Sequence, residues 1–599
     1  MRGLQSPIFL AAATTACYSC GLVTAFAPQQ SRRTYNMLPL QQEVISTRSQ
    51  EQQQQQAEET TKNVNFEEWI ADAPEEVTKW KPCPISDGGC IPSYVEGTLI
   101  RNGGAIWTAP NNNDEFSHIF DGFAKIHAYK IHNSQVECQS RFLQGSWYKA
   151  FQKKDQQSFL VGIGTGPVLD STTQQPKLGM VRTIQALINS ATIFDNTPVN
   201  IWDYSPHMKE SDNHKKTISA LTDAPPRTII DFNTMDTISS STVNPLASGA
   251  KGYELFVTAH PIYSQAKATA AAAGDDVGVD TYNVAIELGL QGPRVNLVRE
   301  TSQGERSVVT SVPSTDGIPY LHSYGLSANY AMIVLQPLRL DPSPDRLLEL
   351  GFLRAMQHVN QTRIVVVDLT SGDVVLDKYI DEKVYFYHSI SQAEIVNDQE
   401  DGGGVTVSLR LCAYKTPDQI TGEHQFMRLE QAKKGLEWRN KLHRGGKFCD
   451  INCNLLDQSV KVDWNDEIKQ GYELPVTRYS RAYGSECISV KHPRYVYAFG
   501  AFALGSQDYD NWGLFKFDLE ENKVSSYYQQ DSVYLSEPIF VPNPDSETED
   551  DGVLLCQAFF GKESETKLLV FNARNMEVMA TVSTGMRAPL DFHGAWIPN

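Results

Sequence analysis

The chain closes on the stretch Ala588-Pro589-Leu590-Asp591-Phe592-His593-Gly594-Ala595-Trp596, in which an apolar segment ends at a histidine. Gly594 follows that histidine and leaves the backbone free to turn sharply. Three further histidines end apolar runs in the same way, namely His260 after residues 255–259, His322 after residues 318–321, and His388 after residues 384–387. Four imidazoles at the ends of four predicted strands indicate that these strands converge on one metal ion.

The abundance of histidine limits what this pattern establishes alone. The chain has 13 histidines, and a single histidine at a strand end is more often a core or surface residue than a metal ligand. The dipeptide His492-Pro493 repeats His260-Pro261 and shows that such patterns recur by chance. Spacing alone therefore leaves a metal site and coincidence as equal alternatives.

Composition narrows the class of protein. The net charge of −19 argues against nucleic acid as a partner, because phosphates require a basic surface. A hydrophobic content of 41% is sufficient for a large core. Peripheral membrane contact remains open, since apolar patches can dock on lipid without a basic face. Beyond residue 28 there is no charge-free apolar run of about 18 residues, so no membrane-spanning helix is expected.

The first 63 residues have the features of a targeting segment. Residues 1–28 combine a basic start, an apolar middle and the small-residue site Val23-Thr24-Ala25-Phe26-Ala27-Pro28, which predicts a signal-peptide-like segment. This site resembles the bipartite presequences of algae with secondary plastids. Residues 29–63 are basic and hydroxylated at first and Gln-rich later, as expected of a transit-like segment and linker. We expect plastid localisation, with the secretory pathway as the alternative, and one folded domain over residues 64–599.

The remaining sequence is rich in predicted strands, and we expect an all-β fold. Four segments read as β-hairpins with a polar turn between two apolar strands. They are residues 125–130 with 135–138, 363–368 with 374–376, 513–518 with 524–527, and 567–572 with 577–580. Such units recur over more than 500 residues, which favours a β-propeller over a sandwich because radial repetition accommodates this length.

Two segments interrupt the strand pattern. Residues 180–188 and 347–356 have apolar positions at helical spacing. We expect these helices to cap one face of the propeller, with a membrane-dipping entrance to a tunnel as the alternative. Cys449 and Cys453 are separated by three residues but lack further ligands at zinc spacing, so we interpret them as loop thiols.

Several segments, taken in order, resemble the carotenoid cleavage oxygenase family from about Glu96 to the C-terminus. The segments are residues 96–104 with Arg101-Asn102-Gly103, residues 118–127 with Phe120-Asp121-Gly122, Asn196-Thr197-Pro198-Val199-Asn200, the four histidine motifs, Tyr472-Glu473-Leu474-Pro475 and residues 536–542. The motif His322-Ser323-Tyr324-Gly325 is closer to the animal-type β-carotene oxygenase branch than to the His-Asp-Phe branch.

The resemblance implies a seven-bladed propeller with Fe(II) on its axis, held by His260, His322, His388 and His593. Because neutral imidazoles do not compensate the charge of the ion, carboxylates are expected to accept the other ring N–H groups. Glu473 and Glu537 match two such positions. Asp223 matches a third, where the family has glutamate, and its shorter side chain is expected to require a backbone adjustment or a bridging water.

The resemblance further implies that O2 cleaves a conjugated double bond of a carotenoid or apocarotenoid into two carbonyl products. The alternative is a non-oxidative retinoid or carotenoid isomerase or isomerohydrolase at the same iron. A binding module with a vestigial metal site and an oxygenase of lignostilbene-type phenolic alkenes are more distant alternatives. The expected partners are O2 and a hydrophobic polyene, together with peripheral membrane contact through the helical cap.

Overall fold

The four predicted hairpins are present in the computed structural model of the chain. Each consists of two neighbouring antiparallel strands, for example Thr362–Asp368 paired with Val374–Ile380. The first strand is buried throughout except at Asp368. Its run of β-branched residues suits a strand packed on both faces, and Asp368 begins the turn by accepting hydrogen bonds from Thr370 N and Ser371 N.

The structure describes residues 63–599 apart from 109–114, 117, 153–194, 205–215, 242–246, 265–278, 342, 344–345, 347–351, 397–403, 423–428 and 481–490. Residues 1–62 of the targeting segment predicted over residues 1–63, and the predicted helix over residues 180–188, lie outside the described residues.

Within the described residues, seven antiparallel sheets of four or five strands form the seven blades of a propeller. We number the blades from the one that contains the first strand. Blade 1 contains Val77–Cys83, Gly97–Gly104, Ala124–His132, Gln135–Phe142 and His593–Pro598; blade 2 contains Asn200–Trp202, Thr217–Leu221, Arg227–Asp231 and Thr237–Ser241; blade 3 contains Tyr253–Val257, Ile262–Tyr263, Thr281–Gly289, Gly292–Glu300 and Arg306–Pro313; blade 4 contains Gly325–Leu326, Tyr330–Leu335, Thr362–Asp368 and Val374–Ile380. Blade 5 contains Tyr385–Val396, Val405–Tyr414, Lys447–Asn454 and Val460–Trp464; blade 6 contains Glu473–Val476, Tyr495–Gly500, Gly513–Asp518 and Lys523–Gln529; blade 7 contains Val533–Leu535, Ile539–Pro542, Gly552–Phe560, Glu565–Asn572 and Val578–Met586.

The two ends of the folded chain meet in blade 1. The last strand, His593–Pro598, pairs antiparallel with Gly97–Gly104, and His593 lies opposite Asn102. Contacts between blades 7 and 1 complete the ring. The predicted metal ligand at the end of the chain is therefore held by the strand pair that closes the propeller.

An additional, smaller sheet includes residues for which a helix was predicted. The strands Ile318–Pro319, Leu338–Leu340 and Met356–His358 form a three-stranded sheet. The helix predicted over residues 347–356 is wrong for its described part, because residues 352–355 form a turn and Met356 begins a strand. Pairing of Met356 with Leu340 outweighs the helical spacing of a sequence interrupted by Gly351.

The helices of the described residues are short and mostly belong to one region. Four of them contribute buried residues to a single aromatic-rich core cluster, which supports a helical cap over one face. The α-helices are Phe66–Trp69, Ser146–Gln152, Asp418–Thr421, Leu429–Ala432 and Leu436–Arg439, and the 3-10 helices are Ile119–Asp121 and Ala503–Gly505. Among the described residues no helix has the length and apolar character that crossing a membrane requires.

Cys449 and Cys453 are not loop thiols, contrary to the prediction. Both lie on the strand Lys447–Asn454 and are buried in the core of blades 4 and 5. Burial raises the pKa of Cys453 to about 12, so its thiol behaves as a small apolar side chain.

Candidate metal centre

The four histidines of the sequence pattern lie at or next to one edge strand of four blades. His593 begins the edge strand of blade 1, and His388 lies within that of blade 5. His322 precedes the edge strand Gly325–Leu326 of blade 4, and His260 lies between two strands of blade 3. All four side chains therefore project from the same side of their blades towards one point.

The imidazole nitrogens converge. The Nε2 atom of His322 lies 2.9 Å from Nε2 of His260 and 3.3 Å from Nε2 of His388. The Nε2 atom of His388 lies 3.1 Å from Nε2 of His593, and all four ligand nitrogens are within 4.8 Å of one another. Two nitrogens that bind one metal ion at right angles through bonds of about 2.1 Å lie about 3.0 Å apart.

The hydrogen bonds of the rings indicate which nitrogen atoms are free to bind a cation. The Nδ1 atom of His593 lies 2.7 Å from Oε1 of Glu537, and Nδ1 of His322 contacts Oδ2 of Asp223. Because ionised carboxylates only accept hydrogen bonds, these Nδ1 atoms carry the proton and the Nε2 atoms present lone pairs. Burial, together with His593 and His322, lowers the pKa of His388 well below its usual value, so this ring is neutral. Lone pairs that converge in this way repel each other unless a cation lies between them, so the four histidines could hold a metal ion.

Asp223 reaches its histidine directly, although its side chain is shorter than glutamate. Besides His322, its Oδ2 accepts a hydrogen bond from the Tyr320 hydroxyl at 3.0 Å. Its Oδ1 accepts from the backbone N–H of Ala259 at 3.0 Å, next to His260. No bridging water is needed for the contact with His322, and one carboxylate orients the surroundings of two candidate ligands.

Glu473 has a different relationship to its histidine. Its Oε2 lies 4.0 Å from Nδ1 of His388, which is too long for a hydrogen bond, while its Oε1 accepts from the Tyr414 hydroxyl. Nδ1 of His388 has no hydrogen-bond partner among the described residues. Burial raises the pKa of Glu473 to about 7, against the effect of the Tyr414 hydrogen bond. The predicted carboxylate is therefore close to His388 without fixing its ring.

Arg101 and Asp591 belong to the site, although the sequence analysis assigned them no role. The Arg101 guanidinium donates two hydrogen bonds to the Asp591 carboxylate, at 2.9 and 2.7 Å, and one to Glu537 at 2.8 Å. Arg101 is fully buried. Since Glu537 also contacts His593, the guanidinium holds the carboxylate that orients this ring. The available signal was the Arg101-Asn102-Gly103 motif, together with the acid two residues before His593.

Two cavities meet at the histidines. A cavity of about 810 Å³, partly open to solvent, reaches His322, His388 and His593. Its wall is mainly apolar and includes Phe120, Tyr387, Phe499, Trp512, Leu590 and Phe592. A second cavity, of about 1290 Å³, reaches His260, His388 and His593 and has polar wall residues such as Ser389 and Gln392. The first presents an apolar wall to a ligand beside the candidate metal centre.

Comparisons with known proteins agree with this architecture. The family model described as "Retinal pigment epithelial membrane protein" (RPE65) matches residues 70–598. The carotenoid-cleaving dioxygenase of mitochondria from Mustela putorius furo is 25% identical over 557 residues, covering 85% of this chain and 92% of the relative. The carotenoid isomerooxygenase of Galleria mellonella is 25% identical over 556 residues, covering 88% of this chain and 96% of the relative.

Solved structures give the same fold. The crystal structure of the cobalt-substituted Synechocystis ACO has a TM-score of 0.66 and 20% sequence identity, and the match covers 90% of this chain and all of that one. At this identity the likeness supports the propeller fold and does not extend to the chemistry.

Proposed function

This chain belongs to the RPE65/carotenoid oxygenase family, and we propose that it is a non-haem Fe(II) dioxygenase that cleaves a conjugated double bond of a carotenoid or apocarotenoid. Relatives named as a carotenoid-cleaving dioxygenase and a β,β-carotene 15,15'-dioxygenase match most of the chain. The protein is therefore an oxidoreductase of this family. O2 and a hydrophobic polyene are the proposed substrates. The two products are carbonyl compounds that each retain one oxygen atom of O2.

A single observation carries this proposal. Four imidazoles converge within 4.8 Å of one another, and His322, His388 and His593 line an apolar cavity. Imidazole nitrogens suit iron among the first-row metals. Four such ligands would hold the ion while leaving it accessible to other molecules, and a site that had lost its chemistry would have no need for this arrangement.

The roles of the protein residues follow from their contacts. Asp223 and Glu537 fix the ring orientation of His322 and His593, and Arg101 holds Glu537 in place. The apolar wall excludes water and aligns the polyene beside the histidines. When bound, Fe(II) supplies the electrons that activate O2 towards a closed-shell polyene. No side chain has to act as a general acid or base, since the cleavage moves no proton.

The test is incubation of iron-loaded protein with β-carotene, zeaxanthin and a series of apocarotenals under ¹⁸O2. We expect one O2 consumed for each polyene cleaved, and label in both carbonyl products at short times. An isomerised or hydrolysed product without O2 uptake would instead identify the isomerase or isomerohydrolase. That alternative is not favoured by the relatives, which are named as dioxygenases or as an isomerooxygenase.

The cellular location of the enzyme is the second part of the proposal. We propose that residues 1–63 direct the enzyme to the plastid of a secondary-plastid alga, where carotenoids are abundant, and that the helical cap contacts membranes. Fusion of residues 1–63 to a fluorescent protein in such an alga tests the first part, and plastid fluorescence is expected. Fluorescence in the secretory pathway would support the alternative. Flotation of the purified protein with liposomes tests membrane contact.

A further inference from the structure

The wall of the apolar cavity carries a small group of polar residues next to one another in sequence. His443, Arg444 and Gly445 precede the strand Lys447–Asn454, and all three line the cavity together with Gln419. The ring of His443 packs edge-on against Tyr414, with centroids 5.3 Å apart. Tyr414 in turn bonds to Glu473 beside His388, so this polar group lies a few side chains from the metal centre.

His443 presents an unused hydrogen-bond donor. Its Nδ1 accepts a hydrogen bond from the backbone N–H of Gly445 at 3.2 Å. Burial lowers the pKa of His443, with Asp418 acting in the opposite direction, so the ring is neutral at physiological pH. A neutral imidazole that accepts at Nδ1 carries its proton at Nε2. This N–H has no hydrogen-bond partner among the described residues. It is not completely buried, so a ligand can reach it.

Arg444 adds further donors at a fixed position. Its guanidinium stacks over Phe502 at 4.3 Å, and donates to the Ser506 carbonyl at 3.2 Å and to Gln507 at 2.9 Å. A guanidinium has five N–H groups, so others remain for a ligand. The side chain is exposed, which places it where the cavity meets solvent.

We infer that the polyene substrate carries an oxygen atom on one end group, as a hydroxyl or a carbonyl, and that His443 and Arg444 donate hydrogen bonds to it. A hydrocarbon end group would remove water from the His443 N–H without replacing its hydrogen bond, which is unfavourable. An oxygenated end group satisfies the donor while the rest of the polyene occupies the apolar wall. Unpaired polar groups of this kind discriminate more strongly than apolar contacts do.

This inference rests on the proposed function, since it names the substrate class of the same cavity. Binding to metal-free protein separates the two, because it requires no turnover. The probes are β-carotene, zeaxanthin, which is its dihydroxylated counterpart, and a β-apocarotenal, each in detergent. Quenching of tryptophan fluorescence reports binding, and Trp512 lies on the cavity wall.

We expect zeaxanthin or the apocarotenal to bind about 5- to 150-fold more tightly than β-carotene. Which of the two does so identifies the oxygen group as hydroxyl or carbonyl. In His443→Phe, which keeps a ring and removes the donor, the preference should fall towards one. His443→Gln retains an N–H donor and should keep part of it. Arg444→Met, at an exposed position, gives a second test.

Phe499→Leu is the matched control, because it changes the apolar wall and should weaken the affinity for all probes by a similar factor. Equal affinity of the wild-type protein for the three probes would overturn the inference, even if O2-dependent cleavage is observed. An unchanged preference in both His443→Phe and Arg444→Met would also overturn it. A clear preference without O2 consumption would instead count against the proposed dioxygenase and leave the recognition of an oxygenated polyene standing.

Discussion

Replacing Arg101 by Met tests how the site is held together. The guanidinium pairs with Asp591 and Glu537, and all three side chains are at least 94% buried. The two carboxylates raise the pKa of Arg101 above its usual range, although burial alone would lower it. The variant leaves two buried carboxylates without a cation, and breaking a buried pair in this way costs about 3–5 kcal/mol.

The expected loss can be measured by thermal unfolding. An unfolding entropy of about 2.1 cal/mol/K per residue gives about 1.1 kcal/mol/K for a folded domain of this length, so Tm should fall by roughly 3–5 °C. Arg574→Met is the control, because its ion pair with Asp551 is partly exposed, at 52% for the Arg574 side chain, and is expected to contribute less than about 1 kcal/mol. Adding Asp591→Asn to Arg101→Met removes one unpaired charge and should recover part of the loss. A Tm within 1 °C of the wild type in Arg101→Met, with unchanged iron content, would refute the reasoning.

Three further variants address other parts of the molecule. His388→Ala removes one of the four converging nitrogens, so iron measured by plasma mass spectrometry and turnover should both fall to about a tenth or less, whereas the exposed His358→Ala should retain both. Asp223→Asn removes the charge that accepts from the His322 ring, and iron affinity in a chelator competition should fall about 10- to 100-fold, with the exposed Asp236→Asn as the control. Lys125→Met tests a buried ammonium whose pKa burial lowers to about 8. The folded protein loses this proton near pH 8, whereas the unfolded chain keeps it up to about pH 10.4. The free energy of unfolding of the wild type, measured in urea, should therefore rise by up to about 3 kcal/mol between pH 8 and 10.4, relative to that of the variant.

The parts of the fold that could be predicted from sequence are the local ones. The hairpin of Thr362–Asp368 with Val374–Ile380 has an apolar run, a turn initiated by Asp368 and a second strand within about 20 residues, so its signal is local. The closure of the ring is different. Asp591 and Arg101 are 490 residues apart, and no local pattern pairs them. The helix predicted near Met356 fails for another reason, because pairing with the nearby strand Leu338–Leu340 outweighs the helical spacing of its apolar residues.

The residues of the candidate site also differ in whether the local sequence marks them. Each histidine carries a local signal, since it ends an apolar run, and the structure brings the four side chains together. The carboxylates carry no such signal, and only the family resemblance singled them out. Their contacts depend on ångström-scale placement, which is why Asp223 reaches His322 directly while Glu473 bonds to Tyr414 instead of His388.

The order of the blades explains why the site requires the whole ring. The histidines come from blades 1, 3, 4 and 5, and the three carboxylates come from blades 2, 6 and 7. Each carboxylate bonds to a different blade from its own: Asp223 to blades 3 and 4, Glu473 to blade 5 and Glu537 to blade 1. The candidate metal centre is therefore built from contacts between blades, and no blade could hold an oriented ligand set alone. Because His593 lies on the last strand, the set of four histidines is complete only when this strand pairs with Gly97–Gly104 and closes blade 1.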